Sequence, residues 1–312
     1  MSEIAVTGAS GFIGRVLIGR LLAAGETPVA ISRQPLEIAG ARNVAITDYA
    51  RTAELAAHLS EVEALIHLAG RAHQASHPGQ DEALFEAANI DTALYAARAC
   101  MAAGVKRFVF VSSIGVNGNH SAKPFLDTDE PAPTEPYAVS KWKAEQALGE
   151  LLAGSPTELT IIRPPLVYGP GCPGNFRKLV RLAATSRWIP LGALDAPRSF
   201  IHVVNLADAL ITAARHPGLD RETFLVADAR DITVGEVVRI LAGSLHASRA
   251  RVINVPVLLL KIAAFLLGRR ALFDKLAAPL QVDASRFSRV TGWKPEITVE
   301  KGLRDTAKAF EK

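Results

Sequence analysis

Residues Ile4-Ala-Val-Thr-Gly-Ala-Ser-Gly-Phe-Ile-Gly14 decide the architecture. A short apolar run reads as a buried strand. Three glycines at 8, 11 and 14 follow it, and an amphipathic stretch then begins. Gly8 permits a tight turn, Gly11 lets backbone approach a pyrophosphate, and Gly14 allows a helix to pack closely on a strand. The helix N-terminus offers N–H groups and the positive end of its dipole to phosphates. Gly8, Ser10, Gly11, Phe12, Ile13 and Gly14 are therefore expected to hold a dinucleotide.

Outward from this loop, the first two thirds of the chain alternate strand-like and helix-like segments. Strands are predicted at Ile4–Thr7, Pro28–Ile31, Val44–Ile46, Ala64–Leu68, Phe108–Ser112 and Leu159–Arg163. Helices are predicted at Ile13–Ala24, Arg51–Leu59, Asp81–Ala103 and Tyr137–Leu152. Continuous apolar strands separated by helix-length segments imply a parallel sheet buried on both faces. The expected class is α/β, a Rossmann-type doubly wound parallel sheet with a smaller C-terminal substrate-binding lobe. Ligands then bind beyond the carboxyl ends of the strands. After Pro164 the rhythm breaks into Pro/Gly-rich loops. The expected division is a dinucleotide-binding domain over 1–164, with parts of 199–230 returning to it, and a mainly substrate-binding lobe over 165–312.

The 312 residues are 49% hydrophobic with a formal net charge of +4, enough apolar material for a large core. Lys and Arg are dispersed, which argues against nucleic acid as a partner. Two cysteines, Cys100 and Cys172, lack metal-ligand spacing and suit free thiols in a reducing cytoplasm, and no metal site is expected. No signal peptide is visible. The run Val255–Leu267 is too short to span a membrane and is interrupted by Lys261. It is expected to be a buried or partner-covered helix rather than a membrane contact.

About 20 residues past the glycine loop, an acid commonly holds the adenosine ribose of NAD. Ser32 and Arg33 stand there instead. Such a pair suits a 2′-phosphate, so NADP(H) is favoured over NAD as the NAD(P) cofactor. Asp48, after the third strand, is placed to touch the adenine edge, or simply to form a turn.

Tyr137-Ala-Val-Ser-Lys141 sets a phenol and an ammonium one helical turn apart. A free Tyr titrates near pH ~10, too high for proton transfer at neutrality. A neighbouring ammonium, an oxidised nicotinamide and the start of the helix after Pro136 are each expected to lower it. Lys141 also suits the nicotinamide ribose. Ser113 closes the strand Arg107-Phe-Val-Phe-Val-Ser-Ser113, at the sheet edge where this architecture places active sites. Its hydroxyl is expected to hold the carbonyl oxygen that Tyr137 protonates.

These motifs together resemble the short-chain dehydrogenase/reductase superfamily, in its extended branch of nucleotide-sugar epimerases, dehydratases and reductases. The resemblance is carried by Thr7–Gly14, His67-Leu-Ala-Gly70, Val111-Ser-Ser-Ile-Gly-Val-Asn-Gly118, Tyr137–Lys141, Arg163-Pro-Pro-Leu-Val-Tyr-Gly-Pro-Gly171, Arg198-Ser-Phe-Ile-His-Val203 and Gly292-Trp-Lys-Pro295. It implies Ser113, Tyr137 and Lys141 as catalytic residues. It implies that His67, Leu68, Ala69, Gly70, Asn89, Ser112 and Pro164 approach the cofactor. Asn175 and Arg198 would grip the diphosphate of a nucleotide sugar, with Ser113 also touching substrate.

Two departures narrow the reading. Asn117 stands where the branch usually has Tyr, and Ile114-Gly115 replaces the Asp-Glu pair of dehydratases, which argues against dehydration. The segment Ser112–Gly118 and the apolar run near Val255–Leu267 are similar to a subgroup linked to bacterial surface polysaccharide, described as UDP-hexose 4-epimerases or UDP-4-keto-deoxysugar reductases. The expected function is oxidoreduction at C4 of a UDP-linked hexose, with reduction of a 4-keto sugar ahead of 4-epimerisation, and a non-catalytic cofactor-sensing scaffold third. The long helices Asp81–Ala103 and Tyr137–Leu152 are expected to pair across a homodimer axis.

Overall fold

The structure is a computed structural model that describes residues 3–71, 81–245 and 250–311. Its first half runs β1 (Glu3–Thr7), α1 (Phe12–Ala23), β2 (Val29–Ser32), β3 (Arg42–Ala45), α2 (Thr52–Ala57), β4 (Val62–His67), α3 (Asp81–Glu86), α4 (Thr92–Ala103), β5 (Arg107–Val111), α5 (Pro136–Leu151) and β6 (Glu158–Arg163). Then follow β7 (Leu166–Tyr168), α6 (Gly174–Thr185), β8 (Trp188–Ile189), β9 (Pro197–Arg198), β10 (Phe200–His202), α7 (Val203–Arg215), β11 (Glu222–Leu225), β12 (Ile232–Thr233) and α8 (Val234–Ser244). The chain ends with β13 (Arg251–Val252), α9 (Val257–Leu266), α10 (Arg270–Ala277), α11 (Ser285–Thr291) and α12 (Val299–Phe310).

Seven strands form one sheet in the order β3-β2-β1-β4-β5-β6-β11. Every neighbouring pair in it is parallel. The doubly wound parallel class therefore holds. All six predicted strands occur, within two residues of their expected ends, and a seventh, β11, joins from the second half. Alternate side chains enter two cores. Val6, Ile66, Val109 and Ile162 pack against Leu17, Leu21, Leu206 and Leu210 of α1 and α7. Ala5, Leu65, Phe108 and Phe110 pack against Leu55, Ala96, Cys100 and Leu148 of α2, α4 and α5. The order reverses between β1 and β4, and their carboxyl ends open the cleft described below.

The single helix predicted over Asp81–Ala103 is broken by a wide π-helical turn at Ala87–Asp91, around the buried Asn89. A third core, with Tyr168, Phe176, Phe200, Val238 and Leu303, lies under the C-terminal lobe. The expectation of a buried helix near Val255–Leu267 fails for this chain on its own, because no residue of α9 is buried. Its apolar side chains run around the whole helix, and only a few of them can face the lobe.

Candidate active site

The site begins where β1 ends. Gly8 takes a left-handed φ of 70°, which turns the chain, and Gly11 N–H donates to the Gly8 carbonyl at 2.9 Å. Gly11 also precedes α1 without any side-chain cap, so no side chain covers the first-turn N–H groups. A Cβ on Gly14 would lie 2.3 Å from the Gly8 oxygen, and one on Gly8 would lie 2.9 Å from Ala69 N. The loop after β4 thus abuts the glycine loop, and the pair forms a bare backbone cradle. This cradle fits the pyrophosphate of a dinucleotide; Ser10 is exposed beside it, while Phe12 and Ile13 pack against apolar cores.

Beneath it, the Thr7 hydroxyl lies 3.0 Å from His67 Nδ1 and accepts the Ala69 N–H at 3.3 Å. His67 stacks near Phe108 and Phe110. Burial, aided by the nearby Lys141 charge, lowers its pKa to about 3, so the ring is neutral. Tyr49 was not singled out from sequence. Burial raises its phenol to about 12, opposed by Thr7, Arg33 and the Gly8 backbone beside it. Arg33 is exposed and its charge reaches this floor. Ser32 is buried and its hydroxyl donates to the Gln34 carbonyl at 2.6 Å. Asp48 is exposed and accepts the Ala50 N–H at 2.9 Å, the turn-forming role.

The catalytic candidates are assembled by small residues. Ser113 follows β5 in extended conformation, and its Oγ accepts the Gly115 N–H at 3.1 Å. A Cβ on Gly115 would stand 3.1 Å from the Ala138 Cβ and 3.4 Å from Ser113 Oγ. That contact sets the strand end against the first turn of α5, beside Tyr137. Ile114 is buried among Leu225, Leu280 and Val282. The positions that carry acids in dehydratases are thus a core residue and a glycine.

Lys141 is buried, donates to the Val111 carbonyl at 2.8 Å, and lies 4.5 Å from the centre of the Phe110 ring. Burial lowers its pKa to about 8, against the pull of Glu145. The expected low Tyr137 pKa is not found: burial beside Phe85 raises the phenol to about 12. The protein alone holds Tyr137 as a phenol, and Lys141 donates to the Val111 carbonyl.

Asn89 ties these parts together. Its Oδ1 accepts the Arg71 N–H at 2.8 Å, and its Nδ2 donates to the Arg71 carbonyl at 3.2 Å and the Ser140 hydroxyl at 2.9 Å. Ser140 in turn donates to the Tyr137 carbonyl at 2.8 Å. A Cβ on Gly70 would strike Asn89 Oδ1 at 2.6 Å and approach Lys141 Nζ at 3.7 Å. The loop Leu68–Gly70 and the helix of Tyr137 are thereby fixed to each other. Ser140 was missed; its place inside the Tyr–Lys spacing was the available signal. Ser112 Oγ is buried without a partner at the end of β5, and the Pro164 carbonyl accepts the Ile114 N–H at 2.9 Å. Both lie just past the carboxyl ends of the neighbouring strands β5 and β6.

The substrate-side candidates are less concentrated. Asn175 is exposed at the start of α6 and accepts from Lys178 at 3.3 Å. Arg198 is half-buried, and one of its nitrogens donates to the carbonyls of Lys275 at 2.8 Å and Ala278 at 2.5 Å, at the end of α10. Burial lowers its pKa. Lys275 also pairs at 2.6 Å with Glu135, two residues before Tyr137. Lys275 and Glu135 were not read from sequence, since no local pattern links positions so far apart. Asn117 is buried, and its Oδ1 accepts from Arg163 at 3.0 Å, while Arg163 pairs with the buried Glu145. Arg163 therefore braces β6 against α5, and Asn117 helps to hold its guanidinium.

A model of the NAD-dependent epimerase/dehydratase family matches residues 4–227. The chain is 33% identical over 313 residues to a UDP-glucose 4-epimerase of Vibrio cholerae, covering 99% of this chain and 95% of that protein. Its fold matches MoeE5 in complex with UDP-glucuronic acid and NAD, with a TM-score of 0.79 and 22% identity over 99% of each chain. It also matches RMD from Pseudomonas aeruginosa complexed with NADPH, with a TM-score of 0.76 and 23% identity over 100% of each chain.

Proposed function

The chain belongs to the NAD-dependent epimerase/dehydratase family, and we propose that it inverts C4 of a UDP-linked hexose. The observation that supports this is that Gly115 sets Ser113 against Ala138 in the first turn of α5, the helix of Tyr137 and Lys141, while Asn89 ties that helix through Ser140 to the loop abutting the glycine cradle. The full-length similarity to a UDP-glucose 4-epimerase supports the choice of substrate and outcome.

Gly8, Ser10, Gly11, Phe12, Ile13 and Gly14 would hold the pyrophosphate. Gly70, Asn89, Ser112, Lys141 and Pro164 would line the nicotinamide end. A nicotinamide held there would supply reversible hydride transfer at C4, which inverts that carbon when the keto sugar presents its other face before the hydride returns. Tyr137 takes the C4 hydroxyl proton and later gives it back, while Ser113 donates a hydrogen bond to the same oxygen. Lys141, cationic below about pH 8, would bond the nicotinamide ribose, and lowering of the Tyr137 pKa would come from the oxidised nicotinamide when it is bound. Elimination of water has no acid to serve it, because Ile114 is in a core and Gly115 has no side chain. Asn175 and Arg198 would meet the diphosphate, Arg198 with the donors not given to α10. The active form is proposed as a cytoplasmic homodimer joined through α4 and α5, whose neighbourhood exposes Leu84 and Met101.

A second reading, NADP(H)-dependent reduction of a 4-keto sugar nucleotide, is favoured by Ser32-Arg33 in place of an acid at the end of β2. The two separate cleanly. Purified protein given UDP-glucose or UDP-N-acetylglucosamine, with no added cofactor, should form the C4 epimer, resolved by chromatography. Tyr137→Phe should slow this roughly a thousandfold. If no epimer forms while NADPH is consumed with a 4-keto sugar nucleotide, the reductase replaces the epimerase. If Tyr137→Phe matches wild type in both assays, the site assignment itself falls.

A further inference from the structure

Helix α9 presents apolar side chains that the fold does not use. Leu258, Ile262, Phe265 and Leu266 follow the spacing of one helical stripe, and Leu258 is 68% and Leu266 77% exposed. Leu259 and Leu267 widen this surface. The other side of the helix is seated: Leu260 and Ala264 pack against the cluster around Phe273, Leu194 and Val234. A surface helix ordinarily turns a polar face outward, and scattered single apolar residues need no explanation. A contiguous outward stripe does.

Charge identifies the occupant. From Arg251 to Phe273 the chain carries Arg251, Lys261, Arg269 and Arg270 and no acidic residue. The nearest acid, Asp274, lies 3.6 Å from Arg270. A second copy meeting this face across a two-fold axis would bring Lys261, Arg269 and Arg270 toward their own counterparts, at a repulsive cost. An anionic surface with an apolar interior satisfies both features at once. The ten residues of α9 extend about 15 Å, half of a hydrocarbon core of about 30 Å, so the helix can lie on a bilayer and not cross it. No described helix is long and apolar enough to cross.

We propose that α9 is a membrane-surface anchor, its Leu258–Leu266 stripe set into the interface of an anionic phospholipid bilayer with Lys261, Arg269 and Arg270 at the lipid phosphates. This does not depend on the proposed sugar chemistry. It does position the cleft, because α10 follows directly and its end is tied to Arg198 and, through Lys275, to Glu135. A docked α9 holds the substrate rim beside the bilayer.

The test is co-sedimentation of the full-length protein with phosphatidylcholine vesicles, with and without about one third phosphatidylglycerol. Wild type should pellet with the anionic vesicles only, and added salt should release it. The Leu258→Glu/Phe265→Glu pair should lower partitioning at least about tenfold. Each of Lys261→Gln and Arg269→Gln should lower it about fivefold. All variants should keep wild-type circular dichroism and turnover of soluble substrate. Should the glutamate pair misfold, the two charge variants still decide. Wild type that stays in the supernatant with both vesicle types overturns the proposal. So does a glutamate pair that dissociates a dimer in sedimentation velocity without changing vesicle binding, since a second copy then covers the stripe.

Discussion

Lys141 shows what a catalytic position costs the fold. Among the described residues its ammonium is buried against the Val111 carbonyl and the Phe110 face, and its pKa falls to about 8 from 10.5 against the pull of Glu145. Below pH 8 both folded and unfolded chains carry the proton, and the full penalty of the buried charge is present. Between 8 and 10.5 the unfolded chain keeps a proton that the folded one has lost, so stability rises with pH across that window. Urea unfolding of wild type and Lys141→Met should show the wild type gaining about 2–3 kcal/mol on the variant from pH ~7.5 to ~10.5. A pH-independent difference would place the ammonium in solvent. The spacing of Tyr137 and Lys141 was plain in the sequence because both lie on one turn of helix. The raised Tyr137 pKa was not, since it follows from burial, to which Phe85 contributes from another helix. Arg198 was read as a diphosphate ligand; its helix-capping carbonyls lie 77 and 80 residues away, beyond any local pattern.

Among the elements, the turn from β1 into α1 was the most legible, because glycine there has a backbone cause. Gly14→Ala would set a methyl 2.3 Å from the Gly8 oxygen and 2.8 Å from the Ala9 Cα, against backbone that has little freedom to retreat. The expected loss is about 2 kcal/mol in thermal or urea unfolding, with weakened nicotinamide cofactor binding by fluorescence. Unchanged values for both would mean that α1 can slide away from the loop. The break in the helix over Asp81–Ala103 was illegible in periodicity, since its residues keep a helical composition throughout. It exists because Asn89 must turn inward to reach Arg71 and Ser140. The short strands β7 to β10 were hidden for another reason: strands of two or three residues have too little alternation to show a period.

At the scale of the molecule, the lobe and the sheet meet around Asp228. Its carboxylate accepts from Tyr168 at 2.8 Å, Asn205 at 2.7 Å and the His202 N–H at 3.0 Å. Asn205 also accepts the N–H groups of Glu296 and Ile297, before α12. Asp228→Ala strands two side-chain donors and one backbone donor in a buried setting, and should cost about 3 kcal/mol in urea unfolding. A loss under ~1 kcal/mol would mean that water replaces the carboxylate. The architecture itself could be foreseen from the first half, where long apolar strands alternate with helices. The contribution of the second half could not, because β11 is four residues long and its partner, β6, ends 59 positions before it starts.

That outermost strand has a consequence for how the molecule is made. A ribosome delivers β1 through β6 well before Glu222–Leu225, so the nascent sheet waits with the rim of β6 bare. A gene cut near residue 164 would produce a protein fixed at that stage, with backbone donors and acceptors open to any passing strand.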